Sequence, residues 1–291
     1  MVWFLDDLQM RRCFLLALFC AVTVAGCKPV TQEGSARSGA APPALSEKAP
    51  RNSVKVIHVF VALADNVNQG IVPVSAALGN GDDPGRNLYW GAAFGVKRFF
   101  EKNKSWAPVR VAVRAGSEAV LERVVFKHRL HDIFIVADAY RGREIRRATQ
   151  DFLEAAAGVP GESATISSGG KELTLHFGGS ANLIAYVGHN GLMDFRLTSA
   201  PNARDRERRD AVILACASKN YFAEALRSTG ANPLLWTTNL MAPEAYVLSA
   251  AIDGWLAKES DEQVRLRAAK AYNQYQNCGL KGANRLFATG W

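Results

Sequence analysis

The sequence predicts an α/β protein, with a mostly parallel central sheet and helices on both faces. Several runs, such as VKVIHVFVALA (54–64) and DIFIVADAY (132–140), are predominantly apolar and rich in β-branched residues, with the length of a strand. Between such runs lie stretches whose apolar residues recur at helical spacing. A strand that is apolar on both sides must be covered on both sides, and helices do this in a parallel sheet.

The elements follow in order from residue 54. After the first strand comes a loop rich in Gly, Asn and Asp. NLYWGAAFGVKRFFEK (87–102) then predicts a helix, with Leu88, Ala92, Val96 and Phe99 on one face. PVRVAVRA (108–115) reads as the second strand, and EAVLERVVFKHRL (118–130) fits a helix. DIFIVADAY is the third strand, and GREIRRATQDFLEAAAG (142–158) is a helix that Gly158 stops. ELTLHFGG is a short extra strand, while NLIAYVGHNG and DAVILACAS are two buried ones. KNYFAEALRSTG predicts a helix, PLLWTTN a strand, and APEAYVLSAAIDGWLAK and DEQVRLRAAKAYNQYQ two further helices.

The beginning of the chain is of another kind. MRRCFLLALFCAVTVAGC (10–27) has two arginines, an apolar run and small residues before a cysteine, the layout of an export signal. Asp6 and Asp7 suit such a region poorly, so translation is expected to start at Met10. The closing VAGC resembles the lipobox of bacterial lipoproteins. That resemblance implies cleavage before Cys27, acylation of its sulfur and a membrane-held protein. Lys28 after that cysteine resembles lipoproteins placed on the periplasmic face of the outer membrane. An uncleaved amphipathic anchor is the alternative. Residues 28–53 are rich in Pro, Ala, Ser and Gly and read as a disordered tether, leaving 54–291 as one folded domain.

Composition excludes several functions. The formal charge is +8, but the basic residues are scattered, and the densest cluster, NARDRERRD, alternates with acids. That is a solvated loop, so no nucleic-acid partner is expected. There is no phosphate-cradling Walker loop, no dinucleotide fingerprint and no Gly-x-Ser-x-Gly elbow. No metal site and no cofactor are expected: His58 lies mid-strand as packing, and His128 and His131 flank a predicted helix end. Asp82 and Asp83 make only a thin case for calcium.

Parallel strands bring their carboxyl ends to one rim, where ligands bind. Residues expected there include Asp65, Asn66, Asp138, Tyr140, Arg141, His189, Cys216, Thr237, Thr238 and Asn239. His189 and Cys216 each end an apolar strand among small residues, in GHNG and ACAS. A thiolate is a nucleophile, and both an imidazolium and a helix amino terminus lower its pKa. Cys216 is therefore a candidate nucleophile, His189 its general base, and the N–H groups of Gly191 and Cys216 donors to an oxyanion. Asp65, Asp138, Thr237, Thr238 and Asn239 are candidate substrate contacts, and the two acids would select Arg or Lys. Other readings stand beside these. Cys216 packs equally well as a small core residue whose pKa Trp236 and Tyr221 would raise, or pairs with Cys278 as a disulfide. Asp65 equally begins a turn with Asn66.

A strand ending in His near a Gly, followed by a strand ending in Ala-Cys, resembles the caspase–gingipain–separase–legumain clan of cysteine peptidases. LIAYVGHNG is similar to the clan's histidine block and VILACAS to its cysteine block, and the likeness covers 182–255. It implies a caspase-like three-layer α/β sandwich, a peptide substrate, and a His189–Cys216 dyad. In the clan glycine directly follows the histidine; here Asn190 intervenes before Gly191, which also admits a non-catalytic relative that binds a partner at the same rim.

Overall fold

The computed structural model describes residues 49–110, 117–168 and 170–291. The proposed signal, the lipobox at Cys27 and most of the proposed tether therefore lie outside the described residues. The end of that tether belongs to the fold. Ala49 is buried, and the Asn52 side chain donates to the carbonyls of His176 (2.7 Å) and Ser180 (3.1 Å) and accepts from the His176 amide.

The strands are β1 (Lys55–Ala62), β2 (Trp106–Val109), β3 (Val120–His128), β4 (Ile133–Tyr140), β5 (Pro160–Ser168), β6 (Lys171–Gly178), β7 (Leu183–Val187), β8 (Asp210–Leu214), β9 (Asn232–Thr237) and β10 (Phe287–Ala288). The α-helices are α1 (Val96–Lys102), α2 (Ile145–Ala156), α3 (Ser218–Thr229), α4 (Ala245–Leu256), α5 (Asp261–Gln276) and α6 (Leu280–Leu286). Eight strands form one sheet in the order β10-β9-β8-β7-β1-β4-β3-β2, and β5 with β6 forms a separate hairpin.

The apolar strands land at the centre, as their composition requires. In β1, Ile57, Val59 and Val61 join one apolar cluster with α1, α4, α5 and α6. Val56, Phe60 and Ala62 join a second with α2, α3 and the hairpin. The sheet is thus covered on both faces.

It is mixed, however, rather than mostly parallel. The pairs β4–β1, β1–β7, β7–β8 and β8–β9 run parallel, whereas β2–β3, β3–β4 and β9–β10 run antiparallel. The main cause is the segment 118–130, which forms strand β3 and not a helix. Its run of Val120, Val124, Val125 and Phe126 suits a pleated surface as well as a helical stripe. β4, buried along its whole length, needs a partner for its outer backbone groups. Register then places Arg123 opposite Asp138. His128 and His131 accordingly flank a strand end.

The predicted helix at 87–102 begins only at Val96, because the Asn87 side chain is committed elsewhere. Fully buried, it accepts from the Ala64 amide (3.0 Å) and donates to the Ala64 carbonyl (2.8 Å), holding 87–95 in turns beside the end of β1. Of the predicted strand 108–115, β2 includes only Pro108 and Val109, and residues 111–116 lie outside the described residues.

Candidate functional site

β7 and β8 are neighbours whose last residues, Val187 and Leu214, pair in register. His189 and Cys216 each stand two residues further on, at the same rim. Gly188, between β7 and His189, has φ +148°, and a Cβ there would stand 2.7 Å from the Ala62 carbonyl of β1, so glycine lets the chain leave the sheet tightly packed.

His189 is 8% exposed. Its Nε2 lies 2.8 Å from Asp194 Oδ2, and its carbonyl accepts from the Tyr186 hydroxyl (2.9 Å). Asp194 Oδ2 also accepts from the Gly70 amide (3.0 Å), which joins the loop after β1 to the loop after β7. The carboxylate fixes the tautomer with hydrogen on Nε2 and leaves Nδ1 as the basic nitrogen. Asp194 was not among the residues singled out from the sequence. Its only signal there is an acid five positions after the histidine, in HNGLMD.

Cys216 is half-buried and carries a free thiol; Cys278 is exposed and also free, so the disulfide alternative is not formed. The Cys216 sulfur lies between the two backbone groups of one residue, accepting from the Met241 amide (3.4 Å) and donating to its carbonyl (3.6 Å). Burial pushes the thiol pKa above its ordinary 9.0, against the lowering effect of the Met241 amide. This is the direction that apolar surroundings impose, not the activation expected from an imidazolium and a helix end. Among the described residues no hydrogen bond joins His189 to Cys216.

Asn190, the residue that departs from the clan pattern, is fully buried and ties the two rim loops together. Its Nδ2 donates to the Cys216 carbonyl (2.6 Å), and its Oδ1 accepts from the Leu192 amide (3.1 Å). Gly191 is packed so closely that a Cβ would stand 2.6 Å from the Phe195 ring. The Gly191 and Cys216 amides donate to no backbone carbonyl among the described residues outside the helices and strands, and the Cys216 amide points to its own sulfur. Directly after the thiol, Ala217 adopts the left-handed conformation (φ 47°, ψ 35°) at the N-cap of α3, with its amide donating to the Asn239 carbonyl (2.8 Å). A non-glycine residue in that region costs energy, and such strain concentrates at functional sites.

The proposed substrate contacts divide. Asp138 is not at the rim. It is 1% exposed inside the sheet layer, bonded to Arg123 (Nε 2.6 Å, Nη2 2.8 Å) and to His58 Nε2 (3.0 Å). His58, expected as packing, is thus a polar partner whose Nδ1 also accepts from the Gly178 amide (3.1 Å). Asp65 is at the rim but holds a turn, accepting from the amides of Val67 (2.9 Å) and Asn68 (3.1 Å) and from Asn68 Nδ2 (2.8 Å). Thr237 is fully buried, its hydroxyl donating to the Ala215 carbonyl and meeting Ser218 Oγ at 3.1 Å. Thr238 donates to the Arg285 carbonyl (2.7 Å) at the head of the α6–β10 return. Only Asn239, exposed beside Cys216, keeps its side-chain amide nitrogen open among the described residues.

The loop acids are also committed. Asp82 pairs with Arg141 and Arg143, and Asp83 with Arg86. Among the described residues no group of three His, Cys, Asp or Glu side chains could hold a metal ion, and no helix is long and apolar enough to cross a membrane.

No protein-family model matches the chain, and neither a curated protein nor a solved structure does.

Proposed function

We propose that the protein is a cysteine peptidase of caspase-like, three-layer form, held on the bacterial envelope through a lipid on Cys27, on the periplasmic face of the outer membrane. The observation that carries this reading is the register of β7 and β8, which ends two paired strands in His189 and Cys216. In this reading His189 Nδ1 takes the thiol proton and the sulfur attacks a peptide carbonyl. The amides of Gly191 and Cys216 face the oxyanion, and the imidazolium returns the proton to the leaving amine. Water then hydrolyses the thioester. Asp194 orients the ring and balances its charge throughout.

The second reading is a non-catalytic module that binds a protein or peptide partner at the same rim. It is favoured by the raised thiol pKa and by the sulfur's bonds to Met241 in place of His189.

One experiment separates them. The full chain is treated with a panel of peptidyl acyloxymethyl ketones, and adducts are mapped by peptide mass. A peptidase gives an adduct on Cys216 that disappears in His189→Ala. No adduct there, or one indifferent to His189, overturns the peptidase reading and leaves the binding module.

A further inference from the structure

Every buried carboxylate discussed so far has its charge answered within the chain. Asp138 faces Arg123 and His58, and Asp65 has both oxygens occupied by N–H donors. Glu244 does not. It is 7% exposed at the N-cap of α4, and no Lys, Arg or His pairs with it among the described residues. One oxygen, Oε2, accepts from the Tyr246 hydroxyl (2.6 Å) and from Gln276 Nε2 (3.0 Å). Oε1 has no hydrogen-bond partner among the described residues, and it is not sealed from solvent. A buried acid with one open oxygen and no counter-charge is costly to ionise unless a cation comes from outside. Burial indeed raises its pKa above the usual carboxylate value.

Aromatic rings stand around this acid. Tyr246 and Tyr275 stack face to face at 4.1 Å, and Phe94 meets both edge-on, at 5.8 Å and 5.1 Å. Phe94 and Tyr275 remain 39% and 40% exposed, whereas Tyr246 is buried beneath them. Ring faces attract cations, and a carboxylate beside them adds a charged acceptor.

The same short segment also serves Cys216. Met241, three residues before Glu244, holds the sulfur with both its backbone groups, and the Tyr272 hydroxyl accepts from the Ala242 amide (3.1 Å) between them. Tyr272 also packs against Tyr246, their ring centroids 6.4 Å apart. A chain of contacts thus runs from the thiol through Met241, Ala242, Tyr272 and Tyr246 to the acid.

We infer that Glu244, with Phe94, Tyr246 and Tyr275, forms a specificity pocket for a guanidinium or ammonium side chain of the substrate. The assignment of that side chain to a substrate rests on the peptidase reading; the cation site itself does not. Arginine suits it best, because its flat guanidinium stacks on rings while donating to Oε1.

The full-length wild-type chain and Glu244→Gln are titrated calorimetrically with n-butylguanidine and with n-butylurea, its neutral isostere. Neither probe has a bond for Cys216 to cleave. The wild type is expected to prefer the guanidine by roughly tenfold or more, a preference that Glu244→Gln abolishes. Equal binding of the two probes by the wild type, or binding of neither, overturns the inference without reference to any variant. In parallel, peptidyl coumarylamides ending in arginine or in citrulline are assayed for turnover. A guanidine preference without turnover of either substrate leaves the cation site standing and removes the peptidase reading. Turnover of both at equal rates upholds the peptidase and overturns the assignment of Glu244 to substrate specificity.

Discussion

His189 and Cys216 stand at the same height on adjacent parallel strands, each two residues beyond the paired Val187 and Leu214. Asn190 fastens the two departures from the sheet to each other through the Cys216 carbonyl. Neighbouring strands lie roughly 4.8 Å apart, so this register brings the two backbone departures close together, while the ring turns to Asp194 and the sulfur to Met241. The sulfur rests on Met241 and the ring on Asp194, so the proposed peptidase would need a substrate that displaces the Met241 contact.

Asp194→Asn tests the orienting role. The amide cannot balance an imidazolium, and it admits the wrong tautomer. In the proposed peptidase, hydrolysis is expected to fall by about 10²- to 10⁴-fold, through kcat with KM little changed. Thermal unfolding should move by only a degree or two, because Asp194 lies on the surface. Full activity in this variant would remove Asp194 from the mechanism.

The raised pKa of Cys216 predicts how it alkylates. Above its ordinary 9.0 the resting sulfur is a neutral thiol at pH 7, and thiolate is the reacting form. Iodoacetamide labelling of Cys216 should therefore climb with pH to a midpoint above 9.0, while exposed Cys278 labels first at neutral pH. The linkage has a definite sign. A proton held more tightly in the folded state makes stability greatest at low pH and lowers it as pH rises past the unfolded thiol's value. Rapid labelling of Cys216 at pH 6 would contradict the burial that sets this shift.

Ala217 offers a test of stored strain. Its φ of 47° is costly for alanine by about 1–2 kcal/mol, whereas glycine adopts it freely but loses more entropy on folding. Ala217→Gly should be neutral to stabilising, by up to about 1 kcal/mol in urea unfolding. A clear loss of stability would mean that the Ala217 methyl packs in a way that offsets its conformation.

Asp138→Asn should be severe. It strands the Arg123 guanidinium, whose side chain is 4% exposed, with only Glu162 at the surface to answer it. Removing one partner of a buried pair costs about 3–5 kcal/mol. The pH dependence follows from the pKa of Asp138, which lies below 3.8; burial opposes this, but the Arg123 and His58 bonds outweigh it. A depressed carboxyl stabilises the fold above its unfolded value and loses that contribution as pH falls through the folded value. The wild type should therefore lose stability in acid below about pH 4 by more than Asp138→Asn does.

The legible part of this protein was the part that obeys local rules. Uninterrupted apolar runs identified β1, β4, β7, β8 and β9, because such segments can be stable only between two layers. Helical periodicity similarly identified α2, α3, α4 and α5. The rim positions of His189 and Cys216 followed from where those runs stop. Segment 118–130 was not legible, since its apolar pattern fits a helix and a strand alike and the exposed edge of β4 made the choice. β5, a serine-rich strand, and the short α6 and β10 carry little signal of their own.

By itself, then, the sequence determined an α/β chain with a buried parallel centre and a histidine and a cysteine at strand ends, because burial and periodicity are properties of short segments. Tertiary structure alone decided which acids are available. Asp138 points inward to Arg123, Asp65 closes a turn, Asp194 takes His189, and Glu244 is left with an open oxygen. The physical reason is that a carboxylate is defined by its partners, and Arg123, Gly70 and Gln276 are brought to Asp138, Asp194 and Glu244 only by the packing of separate elements.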